Sequence, residues 1–296
     1  MLAIVGTIPE EDFPLTAGEV RLEKDSILAD GKKVPVNRGT PALIAAAIKA
    51  GEALNLPLPC GYLVGDTGLG HGSRRLYEYL EKELPHSDFS AIIFHYLQPD
   101  VDWHNRIIFA IEKMRPRPLL MADAGFMYAA KMSGLAESYE LFTPDTGELA
   151  FLADEEAPHP FYTRGFILHD ENRIEDLIRR SYEHNNAANF LLVKGKQDHV
   201  ASREGIMAVI DSPAHEAMEA MGGTGDTLSG IVSVLIASGM ETLRAAVTAC
   251  RINRIAGHYA KPSPASHVME MISHIPRAME DVLNKGVKRY ESSNHG

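Results

Sequence analysis

Short apolar runs alternate with longer segments of helical spacing through the middle of the chain. The runs are bounded by Gly, Pro or Asp, which is typical of buried strands. They lie at residues 61–65, 91–95, 118–122, 140–142 and 190–194. Helical patterns follow most of these runs, at residues 71–83, about 104–114, from about 126, and 147–153. This alternation predicts βαβ units, which build a mostly parallel sheet with helices on both faces.

The N-terminal part of the chain carries strand, hairpin and helix signals. Residues 1–6 form an apolar run without a basic segment before it, which predicts a first strand and no signal peptide. Residues 27–36 predict a hairpin that turns at Asp30-Gly31. We expect a helix to begin at Thr40-Pro41, with Thr40 as its cap and Pro41 in its first turn. The Ala-rich stretch 42–53 continues this helix.

The C-terminal part predicts a hairpin followed by helices. Residues 198–201 and 205–211 have the pattern of an antiparallel hairpin at the edge of the sheet. Helices are predicted at 224–238, 242–259 and 265–284. No linker, low-complexity tract or internal repeat interrupts the pattern, so we predict a single domain over residues 1–285 and a C-terminal tail over 286–296.

Composition narrows the class of protein. The chain has 296 residues, of which 45% are apolar, and this suffices for a large core. Its net charge of −11 gives no overall attraction for nucleic acid or an anionic membrane. Only two cysteines are present, at no metal or redox spacing, and no apolar run approaches the ~20 residues of a membrane helix. We therefore expect a cytoplasmic protein with neither a nucleic-acid nor a membrane partner.

A glycine-rich segment before the first late helix carries the sharpest chemical signal. Gly222, Gly223, Thr224 and Gly225 lead directly into an apolar helix. Glycines let the backbone approach a ligand closely, and the amides at a helix start bind anions. Asp226 adds a carboxylate in the first turn, where it would serve as a catalytic base or, alternatively, as a helix cap. The segment lacks the Lys of a Walker loop and does not match a dinucleotide fingerprint.

The string Gly-Gly-Thr-Gly-Asp-Thr-Leu-Ser-Gly at 222–230 resembles the anion-hole motif of the ribokinase superfamily. It is most similar to the carbohydrate-kinase-related branch that contains ADP- or ATP-dependent NAD(P)H-hydrate dehydratases. Residues 37–51, 120–124, 142–148 and 192–195 resemble other segments of this branch in the same order, so the likeness covers most of the chain. The resemblance implies a ribokinase-like three-layer α/β sandwich. It also implies an enzyme that uses ATP or ADP with Mg²⁺, and a homo-oligomer.

The resemblance also implies roles for individual residues. Asp226 would remove the proton from the substrate hydroxyl, while Gly222 to Gly225 would hold the transferring phosphoryl group. Lys194 and Asn253 would contact the nucleotide. The substrate-side residues would be those at a strand end or a helix start, namely Asp123, His95 and Gly39.

Two carboxylates three residues apart form a further candidate site. Asp145 and Glu148 lie near a predicted helix start, where they would share one face. In the superfamily the matching residues order the water around magnesium, an arrangement that suits the tendency of Mg²⁺ to keep several waters. The alternative is a capping box, in which the same two residues satisfy the helix terminus. No structural metal is expected.

Two other polar runs have no assigned role. Residues 65–73 form a second Gly-rich loop between a strand and a helix, which would suit an anion. Residues 95–104 hold two histidines, two aspartates and the only Trp, but their spacing matches no metal site, so we favour substrate contact at a strand end.

The sequence departs from the family pattern where substrate would lie. Asp145 replaces the His of Thr-Pro-His-Pro-Gly-Glu, and residues 122–126 replace Asp-Ala-Asp-x-Leu-Asn. The Gly-Pro-Gly-Leu-Gly element has no counterpart before Asp123, and residues 95–100 take its place. The leading hypothesis is therefore an NAD(P)H-hydrate dehydratase. The alternatives are a kinase for a sugar or vitamin-like alcohol, and a non-catalytic nucleotide sensor.

Overall fold

The computed structural model describes residues 1–154, 174–263 and 265–293. Within these ranges, eleven strands form one sheet in the order β11-β10-β9-β8-β7-β6-β1-β5-β2-β3-β4. The strands are β1 (Leu2–Ile8), β2 (Thr16–Glu23), β3 (Ser26–Ala29), β4 (Lys32–Pro35), β5 (Cys60–Gly65), β6 (Ala91–His95), β7 (Leu119–Asp123), β8 (Leu141–Phe142), β9 (Phe190–Val193), β10 (Asp198–Ser202) and β11 (Gly205–Ile210).

Helices connect and cover these strands. They are α1 (Thr40–Ala53), α2 (His71–Glu83), α3 (Val101–Ile111), α4 (Gly125–Met132), α5 (Thr146–Ala153), α6 (Ile174–Glu183), α7 (Ala217–Ala220), α8 (Thr224–Ala237), α9 (Thr242–Ala260), α10 (Val268–Ile272) and α11 (Ile275–Ser293). None of the described helices is both long enough and apolar enough to cross a membrane.

The centre of the sheet is parallel and both of its ends are antiparallel. Strands β5, β1, β6, β7, β8 and β9 run in parallel. The hairpin β10–β11 extends one end, and β2, β3 and β4 extend the other. Because the central strands point the same way, their carboxyl ends meet at one edge of the sheet, where ligand sites of open α/β folds form.

Each face of the sheet has its own apolar core. Helices α1, α8, α9, α10 and α11 pack on one face, and α2 to α6 pack on the other. Strand β1 shows how a single strand serves both cores: Leu2 and Ile4 belong to the first, whereas Ala3 and Val5 belong to the second. Side chains alternate across a strand, so a continuous apolar run is needed wherever both faces are covered. The three-layer arrangement predicted from the sequence is confirmed.

Most of the predicted elements are confirmed, including the first strand, the hairpin at Asp30-Gly31 and the hairpin beyond Lys194. Three elements were not predicted from the sequence: β2, α6 and α7, the last of which is only four residues long. Strand β2 buries only one of its faces, so it has no continuous apolar run, and α6 is short and half polar. The single helix predicted over 265–284 is wrong, because α10 ends at Ile272 and α11 begins at Ile275.

The predicted cap of α1 is also wrong. Gly39 occupies the cap position with φ of 68°, and no side chain caps the helix. Thr40 is already helical and buried, and its hydroxyl contacts His95 Nδ1 at 3.0 Å. The structure therefore directs this threonine towards a strand end.

Candidate active site

Three strand ends and two helix starts bring the sequence-predicted residues together. His95 and Asp123 are the last residues of β6 and β7, and Lys194 follows β9 directly. Gly39 precedes α1, and Asp226 lies in the first turn of α8. These five residues are far apart in sequence, yet hydrogen bonds connect each of them to at least one other.

Asp226 accepts hydrogen bonds from across the site. The Gly39 amide donates to one carboxylate oxygen at 2.6 Å, and His95 Nε2 lies 3.2 Å from the other. Its side chain is 12% exposed, so it remains open to a ligand on one side. Gly223, with φ of 98°, holds the cap position of α8, and Asp226 comes three residues later. The carboxylate is thus directed into the site and is not the cap of its own helix.

The amides before Asp226 form the start of α8. The first amides of a helix have no partner within the helix, and the helix dipole adds positive potential at this end. A Cβ placed on Gly225 would lie 3.7 Å from Lys194 Nζ, so the ammonium group lies against this first turn. Backbone and side-chain positive charge therefore converge beside Asp226, which suits an anionic ligand.

Lys194 and Asp123 form a buried ion pair behind this turn. The ammonium group donates to both Asp123 oxygens, at 2.8 and 2.9 Å. Asp123 also accepts from the Ala124 amide at 2.8 Å and from the Ser229 hydroxyl at 2.5 Å. Although burial alone would raise it, Lys194 and His95 hold the pKa of Asp123 below its usual range.

The same pairing acts on Lys194. Burial alone would lower its pKa, but the nearby Asp123 and Glu148 carboxylates raise it. The side chain is 13% exposed, so Lys194 does not extend into solvent from its strand end. It stays charged over the physiological range, and it is close to the glycine-rich turn.

His95 is fully buried between two partners. Thr40 and Asp226 contact its two ring nitrogens, and Asp123 lies 3.8 Å from Nε2. A neutral ring with its hydrogen on Nε2 satisfies both contacts, because Thr40 then donates to Nδ1 and Nε2 donates to Asp226. His95, Asp123 and Asp226 each offer an atom within 4.8 Å of the others, a spacing that a cation could also bridge. Lys194 already engages both Asp123 oxygens, so positive charge is supplied there by the protein itself.

Asp145 and Glu148 form a complete capping box at the start of α5. Asp145 accepts from the Glu148 amide at 2.7 Å, and Glu148 accepts from the Asp145 amide at 2.8 Å. The box uses one oxygen of each carboxylate. Strand pairing sets Asp145 beside Lys194. Burial, with Asp123 and Asp145 nearby, raises the pKa of Glu148 above its usual range even though Lys194 opposes the change.

Asn253 and Arg254 both lie on α9 but support different parts of the site. Asn253 is buried, accepts from Thr227 at 2.7 Å and donates to the Thr224 carbonyl at 3.2 Å, so it ties α9 to the first turn of α8. Arg254 pairs with Asp198 at 2.8 Å and donates to the carbonyls of Gly195 and Lys196, which fixes the loop after Lys194. The contact of Asn253 with a nucleotide stays a prediction.

In the second Gly-rich loop, at 65–73, the backbone amides bind a carboxylate of the chain itself. Asp66 accepts from the amides of Gly68, Gly70 and Ser73 at 2.8 to 3.0 Å, and also from the Ser73 hydroxyl. The pattern at 65–73 therefore organises a turn around a carboxylate of the chain. His104 faces the core, where it contacts Tyr139 and Ser133, and burial lowers its pKa to about 4.

The sequence analysis named no individual role at the site for four residues. Thr40 and Ser229 contact His95 and Asp123, and Arg38 and Tyr96 border Gly39 and the glycine-rich turn. All four lie in segments that were singled out, at 37–51, 95–104 and 222–230. Their position close to Gly39, His95 and Asp226 in the sequence was the available signal.

Comparisons with solved structures give the fold. A ribokinase-like superfamily protein from Enterococcus faecalis superposes with a TM-score of 0.54 at 15% identity, over 95% of this chain and 87% of that one. The ADP/ATP-dependent NAD(P)H-hydrate dehydratase from Bacillus subtilis, co-crystallised with ATP and Mg²⁺, superposes with a TM-score of 0.56 at 13% identity, over 95% and 89%. The fold of this chain is therefore ribokinase-like.

Sequence comparisons give the family. The model of the NAD(P)H-hydrate dehydratase family matches residues 98–277. An uncharacterised protein of Methanocaldococcus jannaschii is 42% identical over 220 residues, which cover 74% of this chain and 90% of that protein. The ADP-dependent (S)-NAD(P)H-hydrate dehydratase of Cenarchaeum symbiosum is 28% identical over 160 residues, 53% of this chain and 50% of that protein. The chain belongs to the NAD(P)H-hydrate dehydratase family, which is a family of enzymes.

Proposed function

We propose that this protein uses ATP or ADP to phosphorylate the hydroxyl group of NAD(P)H hydrate and then releases phosphate to restore NAD(P)H. The observation that carries the proposal is the position of Asp226. Gly39 and His95 hold its carboxylate in the first turn of α8, beside backbone amides that suit a phosphate group. Family membership supplies the substrate class.

In the first step, Asp226 removes the hydroxyl proton while the substrate oxygen attacks the terminal phosphorus of the nucleotide. The bond from that phosphorus to the leaving nucleotide breaks, and the amides at 223–225 stabilise the charge on the transferring group. Lys194 adds positive charge behind the same turn. Pre-positioned donors of this kind suit phosphoryl transfer, which needs alignment and charge neutralisation more than covalent help.

The carboxylates at the start of α5 fit a role near magnesium. Asp145 and Glu148 each keep one oxygen outside the capping box, and oxygen ligands suit a hard cation that retains water. Bound there, Mg²⁺ would neutralise phosphate charge. The capping box holds both side chains in place, so the two interpretations of this pair are compatible.

The first test is a dehydration assay. Purified protein is incubated with Mg²⁺, ATP or ADP and NADH hydrate, and the return of dihydronicotinamide absorbance is followed. We expect Asp226→Asn to lower kcat by roughly 10²- to 10⁴-fold, the usual contribution of a general base. Asp176→Asn is the matched control, because Asp176 also lies in the first turn of a helix but is exposed on α6.

The outcomes separate the candidate functions. Absorbance that returns with wild type and the control, and not with Asp226→Asn, supports both the reaction and the base. Nucleotide consumption without recovery of absorbance points to phosphorylation of the hydrate without release of phosphate. A kinase for another small alcohol would consume nucleotide only when that alcohol is added, and nucleotide binding without consumption with any of the alcohols points to a sensor. Sedimentation of the same preparation tests the expected homo-oligomer.

A further inference from the structure

Tyr96 has an unusual backbone and an open ring at the mouth of the site. It follows β6 directly, has φ of 55° and is 43% exposed. A left-handed conformation is unfavourable for a non-glycine residue, so the surrounding structure must hold it. The Thr7 hydroxyl does so in part, by donating to the Tyr96 carbonyl at 2.9 Å. The strained backbone directs this ring towards the site.

Contacts on one side of the ring fix its orientation. The His95 ring meets it edge-on, with centroids 4.4 Å apart and planes 77° apart. Gly39 borders it without a side chain, since a Cβ there would lie 3.8 Å from the ring. Burial, with Asp226 and Asp123 close by, raises the pKa of the Tyr96 hydroxyl. The hydroxyl end therefore lies near the proposed base, while much of the ring stays open.

Arg38 lies between this ring and the glycine-rich turn. Its guanidinium lies close enough to the Tyr96 hydroxyl to lower the pKa of that group against the larger effect of burial. The Arg38 backbone packs against the glycine-rich turn. A Cβ added to Gly223 would lie 3.2 Å from the Arg38 Cα, and a Cβ added to Gly222 would lie 4.0 Å from the Arg38 Cβ. Arg38 is exposed, and no carboxylate of the described residues forms an ion pair with it. A cation with no acidic partner among the described residues, next to an open aromatic ring, suits a nucleotide, in which a sugar joins a ring to a phosphate.

We propose that Tyr96 and Arg38 are specificity-determining residues, which bind the nicotinamide-derived ring and the nearest phosphate of a nucleotide-type substrate. Tyr96 supplies a stacking surface, and Arg38 binds the phosphate nearest to the ring. The inference rests on the proposed function, because it assumes that the reacting hydroxyl lies beside Asp226. It explains how the site selects a nucleotide over a plain sugar, which has no unsaturated ring for Tyr96 to pack against.

Ligand-observed NMR titration tests the pair without relying on turnover. Protein preloaded with a non-hydrolysable ATP analogue and Mg²⁺ is titrated with nicotinamide mononucleotide, nicotinamide riboside and ribose 5-phosphate. The first probe has ring and phosphate, the second only the ring, and the third only the phosphate. Circular dichroism melting of each variant checks that it is folded.

The two variants should act on different probes. Tyr96→Leu should weaken binding of both ring-bearing probes by roughly tenfold, the usual contribution of stacking, and leave ribose 5-phosphate unchanged. Arg38→Met should weaken both phosphate-bearing probes by about tenfold and leave the riboside unchanged. Tyr96→Phe keeps the stacking surface, so its affinities should stay within twofold of wild type. Arg244→Met is the control for loss of an exposed arginine on α9.

Three results would overturn the inference. The first is that the wild type does not bind the mononucleotide, and the second is that Tyr96→Leu weakens the binding of all three probes equally. The third is that Tyr96→Leu weakens binding of the ATP analogue and leaves the affinity for the mononucleotide unchanged. The last would assign the ring to the co-substrate. Failure of the proposed function has a different signature, which is probe binding that depends on Tyr96 and Arg38 without any dehydration by wild type.

Discussion

Lys194 is the residue on which the charge balance of the site depends. Its ammonium group holds Asp123 in a buried environment, while Asp226 lies on the other side of His95. Burying a carboxylate without a partner is costly, and removing one member of a buried pair leaves the other uncompensated. Lys194 therefore stabilises the fold and also supplies positive charge beside the glycine-rich turn.

We expect Lys194→Met to lower the free energy of unfolding by about 3 kcal/mol, near the lower end of the range for breaking a buried pair, because Lys194 retains some exposure. Urea unfolding at neutral pH measures the change. Lys196→Met is the control: Lys196 is exposed two residues later, and its loss should cost under about 0.5 kcal/mol. Equal effects of the two substitutions would show that the Asp123 pair is not a stabilising contact.

At the scale of elements, the start of α8 is held in place by its neighbours. Asn253 ties it to α9, and Ser229 ties it to the end of β7. Helix α1 packs closely along it, since a Cβ on Gly230 would lie 2.3 Å from the Leu43 carbonyl oxygen. This close approach of α1 to α8 brings the Gly39 amide within reach of Asp226. The absence of a side chain at Gly230, one helical turn after Asp226, thus allows the contact between Gly39 and Asp226.

Gly230→Ala should destabilise the protein by roughly 1–3 kcal/mol through overpacking of α1 against α8. It should also lower kcat, because a displaced α1 carries Gly39 away from Asp226. Gly51→Ala is the matched control on α1, where the new Cβ would make only an ordinary 3.9 Å contact with Leu56. Its stability should be unchanged or rise by up to about 1 kcal/mol from helix propensity. Thermal unfolding and the dehydration assay check both variants.

At the scale of the whole molecule, the polar site is set at one edge of a sheet that is otherwise covered by two apolar cores. Ion pairs at this edge are shielded from solvent more than those on the surface, so their effect on stability depends strongly on protonation. Asp123 is 1% exposed and has a lowered pKa, which makes it the main candidate for an acid-sensitive contact.

We expect the free energy of unfolding to fall at acidic pH, partly because Asp123 becomes protonated. Its pKa is lower in the folded chain than the value of about 3.9 in the unfolded one, so its contribution is present above that value. The contribution is lost as pH falls through the lower folded-state pKa, because the unfolded chain binds the proton first. Below about pH 4 the unfolding free energy of Asp123→Asn should therefore depend less steeply on pH than that of wild type. Asp12→Asn, at an exposed loop position, should keep the wild-type slope.

Several features of the site and fold were predictable from sequence because they are local. Apolar runs bounded by turn residues predicted the central strands, and the glycine density at 222–225 predicted a helix start suited to anions. Asp145 and Glu148 illustrate the limit of local patterns. Their spacing predicted either a capping box or a magnesium site. The structure shows the box, with the backbone of Asp145 paired to that of Lys194 and the Glu148 carboxylate near the Lys194 ammonium group.

The sequence by itself determined the layered α/β architecture, the glycine-rich start of α8 and the presence of Asp226 within it, since each depends on residues adjacent in the chain. Only the tertiary structure decided the partners: Lys194 with Asp123, and Gly39 and His95 with Asp226. It also showed that the glycines at 65–73 surround Asp66 of the chain itself. These pairings join residues from separate strands and helices, and their distances follow from sheet order and helix packing, which no local pattern encodes.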